Sequence, residues 1–218
     1  MEKKKIAVVL SGCGVMDGSE IHEAVTAMLA IEQQGGVYHC FAPEGEQRVV
    51  MNHVTKQPSN EIRRMPVEAA RIARGNISSL KSFKAADYDA VLFPGGMGAV
   101  LNLCDFANRG KDCSVHPDVE RAVKEMHAAG KPIVALCIAP VLITRILGDI
   151  TVTIGNDPET CFAIKSMGGT PEICSSAQVC IDRKNKIITT PCYMLDKSLK
   201  EVAQSTSNAV RDLMDMLK

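Results

Sequence analysis

The chain has 218 residues, 46% of them hydrophobic, and its 25 basic and 25 acidic side chains leave no formal net charge at pH 7. A neutral chain lacks the basic surface that binding to nucleic acid or to an anionic membrane requires, so we expect small molecules or proteins as partners. No linker-like or low-complexity tract divides the sequence, which favours a single domain over residues 1–218.

The amino-terminal residues and the cysteines bear on location. The basic start runs directly into an apolar segment without a small-residue cleavage site, which is typical of a first strand and not of an export signal. The nine cysteines are odd in number and form no C-x-x-C pair, so we expect neither a disulfide framework nor a structural zinc site. These features predict a cytoplasmic protein whose thiols are mostly small buried hydrophobes.

Short apolar runs alternate along the chain with longer amphipathic segments. The runs predict strands at residues 5–10, 38–42, 90–93, 132–136, 179–182 and 187–190. Helical periodicity predicts helices at residues 20–34, 67–74, 118–129, 140–147, 159–167 and 197–217. Apolar strands separated by helices require a mostly parallel sheet that is covered on both faces. The predicted fold is therefore doubly wound α/β and flavodoxin-like.

Two segments depart from this alternation and are interpreted as insertions. Residues 49–62 alternate weakly around a Pro-containing turn, which indicates a hairpin-like insertion. Residues 101–116 are polar, contain glycine and are predicted to be irregular. Insertions lie on surfaces, so either segment could cover a site.

The glycine-containing loop at residues 11–19 leads into the first predicted helix. Its G-x-G-x-x-x-G spacing is one residue longer than the dinucleotide fingerprint, which disfavours a nucleotide cofactor. Asp17 or Ser19 is expected to cap the helix. Glu23, Ala27 and Ala30 share one helix face that suits close packing on a sheet. Burial there would let a protonated Glu23 donate to a thiolate, whereas the alternative is an ordinary acidic residue in a first helical turn.

The strand at residues 90–93 ends in Pro94, Gly95 and Gly96. Glycines at such a turn let backbone N–H groups point inward at close range, as an oxyanion hole requires. The carboxyl ends of parallel strands form the ligand-binding edge of this kind of sheet. The turn is therefore a candidate oxyanion site, although most Pro-Gly-Gly turns merely reverse the chain.

Cys137 ends the strand at residues 132–136 and is the candidate nucleophile. Ala135 and Ala139 lie two positions to either side, as the sharp turn of a nucleophile elbow requires, and Pro140 is typical of a helix start. The helix start would favour the thiolate, and the N–H of Ile138 is a further candidate oxyanion donor. We expect a strained backbone at Cys137 and a sulfur beside the glycine turn. An inert buried cysteine is the alternative.

Together these segments, with residues 189–194, resemble the PfpI-like branch of the class I glutamine-amidotransferase-like superfamily, and within it the ElbB-type proteins linked to isoprenoid biosynthesis. The resemblance implies that Cys137 is the nucleophile, that Gly95 and Gly96 help to form the oxyanion site, and that Glu23 contacts the sulfur. It also implies a cofactor-independent glyoxalase that needs no metal or organic cofactor. Homodimers or higher homo-oligomers are implied as well.

The general base is left open by the sequence. A glutaminase of this class uses a histidine far downstream of its cysteine, but no histidine follows His127. Some PfpI relatives carry histidine directly after the cysteine, where this chain has Ile138. The base must then be Glu23, a water molecule, or a histidine from elsewhere in the chain. The histidine candidates are His22, His53 and His116.

Three functions are compatible with the cysteine elbow. The leading hypothesis is a glyoxalase that acts on glyoxal or methylglyoxal through a hemithioacetal at Cys137. The second is a non-catalytic redox sensor or interaction protein that uses the same thiol. The third, a glutaminase subunit, is disfavoured because no histidine lies downstream. The roles of Cys13, Cys104 and Cys192 stay open, with Cys192 a candidate resolving thiol.

Overall fold

The computed structural model describes residues 2–195 and 198–218. The strands in these residues are Lys5–Val9 (β1), Val37–Ala42 (β2), Val50–Asn52 (β3), Gln57–Ser59 (β4), Ile77–Ser79 (β5), Ala90–Phe93 (β6), Ile133–Leu136 (β7), Thr151–Val152 (β8), Thr170–Pro171 (β9), Cys180–Asp182 (β10) and Ile187–Thr190 (β11). The α-helices are Ile21–Gln33 (α1), Met65–Ile72 (α2), Met97–Leu101 (α3), Phe106–Arg109 (α4), Pro117–Ala128 (α5), Pro140–Leu147 (α6), Pro158–Ser166 (α7) and Leu199–Met216 (α8). Within the described ranges, no helix combines the length and apolar character that crossing a membrane requires.

Seven strands form one sheet in the order β10-β11-β7-β6-β1-β2-β5. Every neighbouring pair is parallel except β10 with β11. Parallel neighbours need crossover connections, and helices supply most of them here. The predicted doubly wound, mostly parallel α/β fold is confirmed.

The central strands are buried on both faces, which explains their continuous apolar sequence. In β1, Ala7 and Val9 pack into the core under α5 and α6, whereas Ile6 and Val8 pack into the core under α1 and α8. The same alternation runs through β6 and β7. Because successive side chains of a strand point to opposite faces, each strand serves both cores. Because β1, β6 and β7 are parallel neighbours, their carboxyl ends meet at one edge of the sheet.

The long elements match the sequence predictions within about two residues, but several short ones were not predicted. The edge strand β5 has three residues, and β8 and β9 have two each, so none carries a readable periodicity. The predicted start of the last helix, Lys197, lies outside the described residues, and α8 begins at Leu199.

The two insertions differ in character. Residues 49–62 contain the antiparallel hairpin β3–β4, with Val50 opposite Ser59, as the pattern indicated. The expectation of irregular structure at residues 101–116 is wrong in part. That segment holds the end of α3, the single-turn helix α4 and an antiparallel bridge between Cys104 and Val115. A helix of four residues is too short to show a hydrophobic period.

Asn102 ties the second insertion to the first loop. Its side-chain amide donates to the carbonyls of Ser11 (2.9 Å) and Asp17 (2.8 Å), and its carbonyl accepts from the backbone N–H of Arg48 (3.0 Å). Asn102 is only 5% exposed, so water cannot readily replace these bonds. One side chain therefore satisfies three backbone groups in two segments, the first loop and the segment that contains Arg48.

Replacing Asn102 by alanine should lower the free energy of unfolding by about 2–4 kcal/mol, because buried backbone groups lose their partners. Urea unfolding at pH 7 measures the change. Asn108→Ala is the matched control: this asparagine is exposed in α4, and its loss should cost no more than about 0.5 kcal/mol. Equal stability of the two variants would show that the Asn102 bonds contribute nothing.

Candidate active site

The two glycine loops at the carboxyl edge of the sheet are bonded to each other through their backbones. The N–H of Glu20 donates to the carbonyl of Gly95 (2.9 Å), and the N–H of Gly98 donates to the carbonyl of Gly18 (2.9 Å). These bonds fix the start of α1 against the start of α3. Residues of α1 are thereby placed over the end of β6.

The approach of the two loops leaves no room for side chains at their contact. A Cβ atom on Gly96 would lie 2.4 Å from the backbone nitrogen of Glu20, and one on Gly98 would lie 2.6 Å from the backbone of Gly18. Gly96 also has a φ of 89°, which L side chains rarely adopt. The glycines are thus required by the loop contact.

Helix α1 is capped by Glu20, so the prediction that Asp17 or Ser19 caps it is wrong. A carboxylate oxygen of Glu20 accepts from the N–H of Glu23 (2.7 Å). Asp17 instead accepts from the backbone N–H of Met51, and Ser19 accepts from the first loop. The side chains of Asp17 and Ser19 are thus engaged in loop hydrogen bonds, and Glu20 binds the free N–H at the helix start.

Cys137 has the backbone conformation that the elbow pattern predicted. Its φ is 59°, in the left-handed region that non-glycine residues rarely occupy, and its N–H donates to the carbonyl of Thr190 (3.0 Å). A Cβ atom on Gly95 would lie 2.9 Å from the Cys137 sulfur. Both parts of the geometric prediction, the strained backbone and the sulfur beside the glycine turn, are confirmed.

The Glu23 side chain contacts this sulfur from a fully buried position. Glu23 has no exposed surface, and its carboxyl forms a hydrogen bond with the Cys137 sulfur. The N–H of Gly95 donates to Oε2 (2.8 Å) and the N–H of Tyr193 donates to Oε1 (3.3 Å). Both carboxyl oxygens are therefore held by backbone donors, which fixes the carboxyl against the sulfur.

The predicted set of oxyanion donors needs one correction. The N–H groups of Gly96 and Ile138 hydrogen-bond the Cys137 sulfur and so lie where an adduct would form. Gly95 does not offer a free donor, because its N–H is bound to Glu23. Its contribution is steric: an added Cβ would lie 2.4 Å from the Cys137 Cβ and 2.7 Å from Glu23 Oε2. Only glycine at this position lets the two side chains meet.

Burial dominates the electrostatics of the pair. It raises the pKa of Glu23 to about 8, helped by the nearby Glu20 charge and opposed by the donors on Gly95 and Tyr193. Burial and the Glu23 charge also raise the pKa of Cys137 well above its usual value, against the Gly96 donor. The expectation of a low thiol pKa is therefore wrong. At neutral pH the pair holds protons that it can pass to a bound substrate.

The histidine candidates lie in three different places. His22 is at the rim of the site, where its Nδ1 contacts the hydroxyl of Tyr193 (2.7 Å). His53 accepts from a backbone N–H of the first loop, and His116 caps α5. Of the three, only His22 adjoins a residue that touches the carboxyl of Glu23. Within residues 2–195 and 198–218, no cluster of His, Cys, Asp and Glu is arranged to hold a metal ion.

The other cysteines singled out by the sequence lie in three different surroundings. Cys192 is fully buried, has a φ of 44° and packs in the same core cluster as Cys137, so its resolving role stays a prediction. The Cys104 thiol forms a hydrogen bond with the Cys113 thiol. Cys13 lies among charged side chains of the first loop and α2.

Sequence reasoning missed Glu20 and Tyr193. Glu20 precedes Glu23 by three residues, which is the spacing of a side chain that caps a helix, so this signal was available. Tyr193 acts through its backbone N–H in the short 3₁₀ turn Cys192–Met194, and no pattern of side chains reveals such a contact.

The buried carboxyl makes the stability of the fold depend on pH. Glu23 keeps its proton in the folded protein up to about pH 8, whereas an unfolded chain loses it near pH 4.5. The folded state binds more protons between these values, so the free energy of unfolding falls as the pH rises from 5 to about 8. Glu23→Gln should remove a fall on the order of 4 kcal/mol. Urea unfolding at both pH values measures it.

Glu32→Gln serves as the control for this experiment, because Glu32 is exposed on the same helix. It should leave the difference in stability between the two pH values unchanged. The same pH dependence in native protein and in Glu23→Gln would contradict a protonated Glu23.

Comparisons with known proteins agree with the predicted fold. The chain is 42% identical to the human glutamine amidotransferase-like class 1 domain-containing protein 3, mitochondrial, over 97% of this chain and 83% of that protein. It is 40% identical to the rat ES1 protein homolog, mitochondrial, over 98% of this chain and 84% of that protein. No family model matches the chain.

Two solved structures have a similar fold. An isoprenoid biosynthesis protein with an amidotransferase-like domain from Ehrlichia chaffeensis superposes with a TM-score of 0.91 at 33% identity, covering 97% of this chain and 99% of that one. Drosophila melanogaster DJ-1beta superposes with a TM-score of 0.58 at 16% identity, covering 99% and 96%, which is a likeness of fold alone.

The expectation of a cytoplasmic location is wrong. The curated relatives that the chain matches are mitochondrial proteins. The cysteine argument could not reveal this, because it identifies a reducing compartment without saying which one. The argument about an export signal likewise carries no information about import into an organelle.

The fold was predicted as class I glutamine-amidotransferase-like, and both the sheet topology and the Ehrlichia chaffeensis structure agree with that prediction. The human relative matches nearly the whole chain at an identity that leaves no ambiguity about descent. The chain belongs to the glutamine amidotransferase-like class 1 domain proteins.

Proposed function

We propose that this protein is a cofactor-independent glyoxalase-type enzyme that converts small dicarbonyls such as glyoxal and methylglyoxal to hydroxy acids. The observation that carries the proposal is the contact between a fully buried Glu23 carboxyl and the Cys137 sulfur. A nucleophile beside a group that gives and takes a proton is what this reaction needs. The superfamily includes glyoxalases, which supports the same reaction class.

The first step is addition of sulfur to the aldehyde. The Cys137 sulfur forms a bond to the aldehyde carbon, and the π electrons of the carbonyl move to its oxygen. That oxygen takes up the proton released by the thiol, which gives a hemithioacetal. The N–H groups of Gly96 and Ile138, already directed at the sulfur, are placed to stabilise the developing negative charge.

The second step moves one proton between neighbouring carbons. The Glu23 carboxylate removes the hydrogen of the hemithioacetal carbon, and the electron pair forms the double bond of an enediolate. Glu23 then returns the proton to the adjacent carbon, and the hydroxyl proton of the former hemithioacetal carbon passes to the neighbouring oxygen, which leaves a thioester of the hydroxy acid on Cys137. Water hydrolyses the thioester and restores the thiol. The sum is one dicarbonyl plus one water to one hydroxy acid.

Removing either member of the pair should abolish this chemistry in different ways. Cys137→Ala should reduce methylglyoxal turnover to background, because no covalent adduct can form. Glu23→Gln should lower kcat/KM by about 10²-fold or more, the usual cost of a lost acid-base group, while Cys137 still reacts with iodoacetamide. Chiral analysis of lactate and alkylation kinetics measure the two effects.

Cys161→Ala is the control, because Cys161 lies in α7, away from the Cys137 elbow. It should retain full turnover. Unchanged turnover in both Cys137→Ala and Glu23→Gln would overturn the proposal. Rapid ammonia release from glutamine by the native protein would favour the glutaminase function. Oxidation of Cys137 by peroxide without any dicarbonyl turnover would favour the redox-sensing function.

A separate variant distinguishes Glu23 from His22 as the base. His22 is exposed and contacts Tyr193 and Glu20. We expect His22→Asn to lower kcat/KM by less than about tenfold, because it perturbs only the rim. The kcat/KM of the native protein should rise with pH up to about 8, as Glu23 ionises. A loss of about 10²-fold in His22→Asn would assign the base role to His22 instead.

A further inference from the structure

Cys104 and Cys113 form a second pair of thiols outside the candidate active site. Cys104 makes an antiparallel bridge with Val115, and the N–H of Asp105 donates to the carbonyl of Ser114 (3.1 Å). In such a pairing, a residue two positions from the direct partner lies diagonally opposite on the same face. Cys113 therefore faces Cys104, and the two thiols are hydrogen-bonded to each other.

The two sulfurs have different surroundings. Cys104 is 1% exposed, and its sulfur lies 3.4 Å from the carbonyl oxygen of Ala99. Cys113 is equally covered, but it lines a surface cavity of about 280 Å³ together with Arg145. The Arg145 Nε donates to the Cys113 carbonyl (2.7 Å), and the guanidinium also bonds the Cys113 sulfur. One cysteine of the pair thus adjoins a surface cavity, beside a fixed positive charge.

The hydrogen bond between the two thiols and the nearby charge shift their pKa values in opposite directions. The hydrogen bond from Cys104 and the positive charge of Arg145 outweigh burial and lower the pKa of Cys113 to about 7. The same hydrogen bond, together with burial, raises the pKa of Cys104. Cys113 is therefore the member of the pair that ionises more readily near neutral pH. Cys137, whose pKa is raised, has the opposite character.

We propose that Cys104 and Cys113 are a redox-active dithiol that a hydroperoxide converts to a disulfide, independently of Cys137. The Cys113 thiolate attacks one peroxide oxygen, the O–O bond breaks, and the leaving oxygen departs as water after protonation. The Cys104 sulfur, losing its proton, then attacks the Cys113 sulfenic acid, and a second water leaves. Two thiols and one hydrogen peroxide give one disulfide and two waters. A reduced dithiol restores the pair.

The segment between the cysteines can accommodate the new bond. The sulfurs must move from hydrogen-bond contact to about 2.05 Å. The residues between them form the single turn of α4 and a 3₁₀ turn, Gly110–Asp112, and most are exposed. Short exposed turns have few packing contacts to lose, so they can absorb this movement.

Trypsin offers a direct test on the native protein. Arg109 and Lys111 lie between the two cysteines, so cleavage after both residues separates Cys104 from Cys113 unless a disulfide joins them. The native chain is treated with hydrogen peroxide at pH 7, blocked with N-ethylmaleimide and digested without reductant. We expect a disulfide-linked pair of these peptides that dithiothreitol separates. Cys137→Ala should form the same pair at the same rate.

Two further variants test the roles of the two sulfurs and of Arg145. In Cys104→Ser, Cys113 should accumulate as a sulfenic acid that dimedone traps, because no resolving thiol remains. Arg145→Gln should slow disulfide formation several-fold at pH 7, whereas Arg145→Lys, which keeps the charge, should slow it less. Circular dichroism confirms that each variant is folded.

The outcome that overturns the proposal needs no variant. In that outcome both Cys104 and Cys113 of the native chain are recovered as blocked free thiols under conditions in which peroxide has oxidised another cysteine. Joining of Cys113 to a cysteine other than Cys104 would overturn it equally.

Discussion

The contact between the Glu23 carboxyl and the Cys137 sulfur is the constraint on which the arrangement of the site depends. For the two groups to meet, Cys137 must adopt a positive φ, Gly95 must lack a side chain, and α1 must begin against the end of β6. The loop bonds of Glu20 and Gly98 fix that helix start. The strain at Cys137 and the close packing at Gly95, Gly96 and Gly98 are thus consequences of holding the Glu23 carboxyl against the Cys137 sulfur.

Burial and hydrogen bonding oppose each other at this contact, and burial prevails. Four backbone N–H groups face the pair, two on the carboxyl and two on the sulfur, and each favours the ionised form. The pKa of Glu23 nevertheless rises to about 8, because a carboxylate with no exposed surface loses all of its hydration. The sulfur at rest is consequently a weak nucleophile. In the proposed reaction, a substrate that accepts the thiol proton on addition makes the sulfur reactive.

Sequence reasoning succeeded where a side-chain pattern carries the geometry. The Ala135-x-Cys137-x-Ala139 spacing predicted the strained elbow, and the small-residue face of α1 predicted a buried Glu23. Sequence reasoning failed where backbone N–H groups form the hydrogen bonds. The N–H of Gly95 binds Glu23 instead of a substrate, and the N–H of Tyr193 arrives from a turn 170 residues away along the chain. Tertiary contacts of this kind leave no periodicity to read.

The number of protons in the site argues for the class of substrate. Hydrolysis of an amide expels an amine, so the site must protonate a leaving group as well as activate the nucleophile, which is the work of a histidine. Addition to an aldehyde expels nothing, and the later transfer between carbons returns the proton to the substrate. One carboxyl beside the sulfur suffices for that sequence, and none of the histidines contacts Cys137 among the bonds of the described chain. Reactive aldehydes are therefore better matched to this site than glutamine.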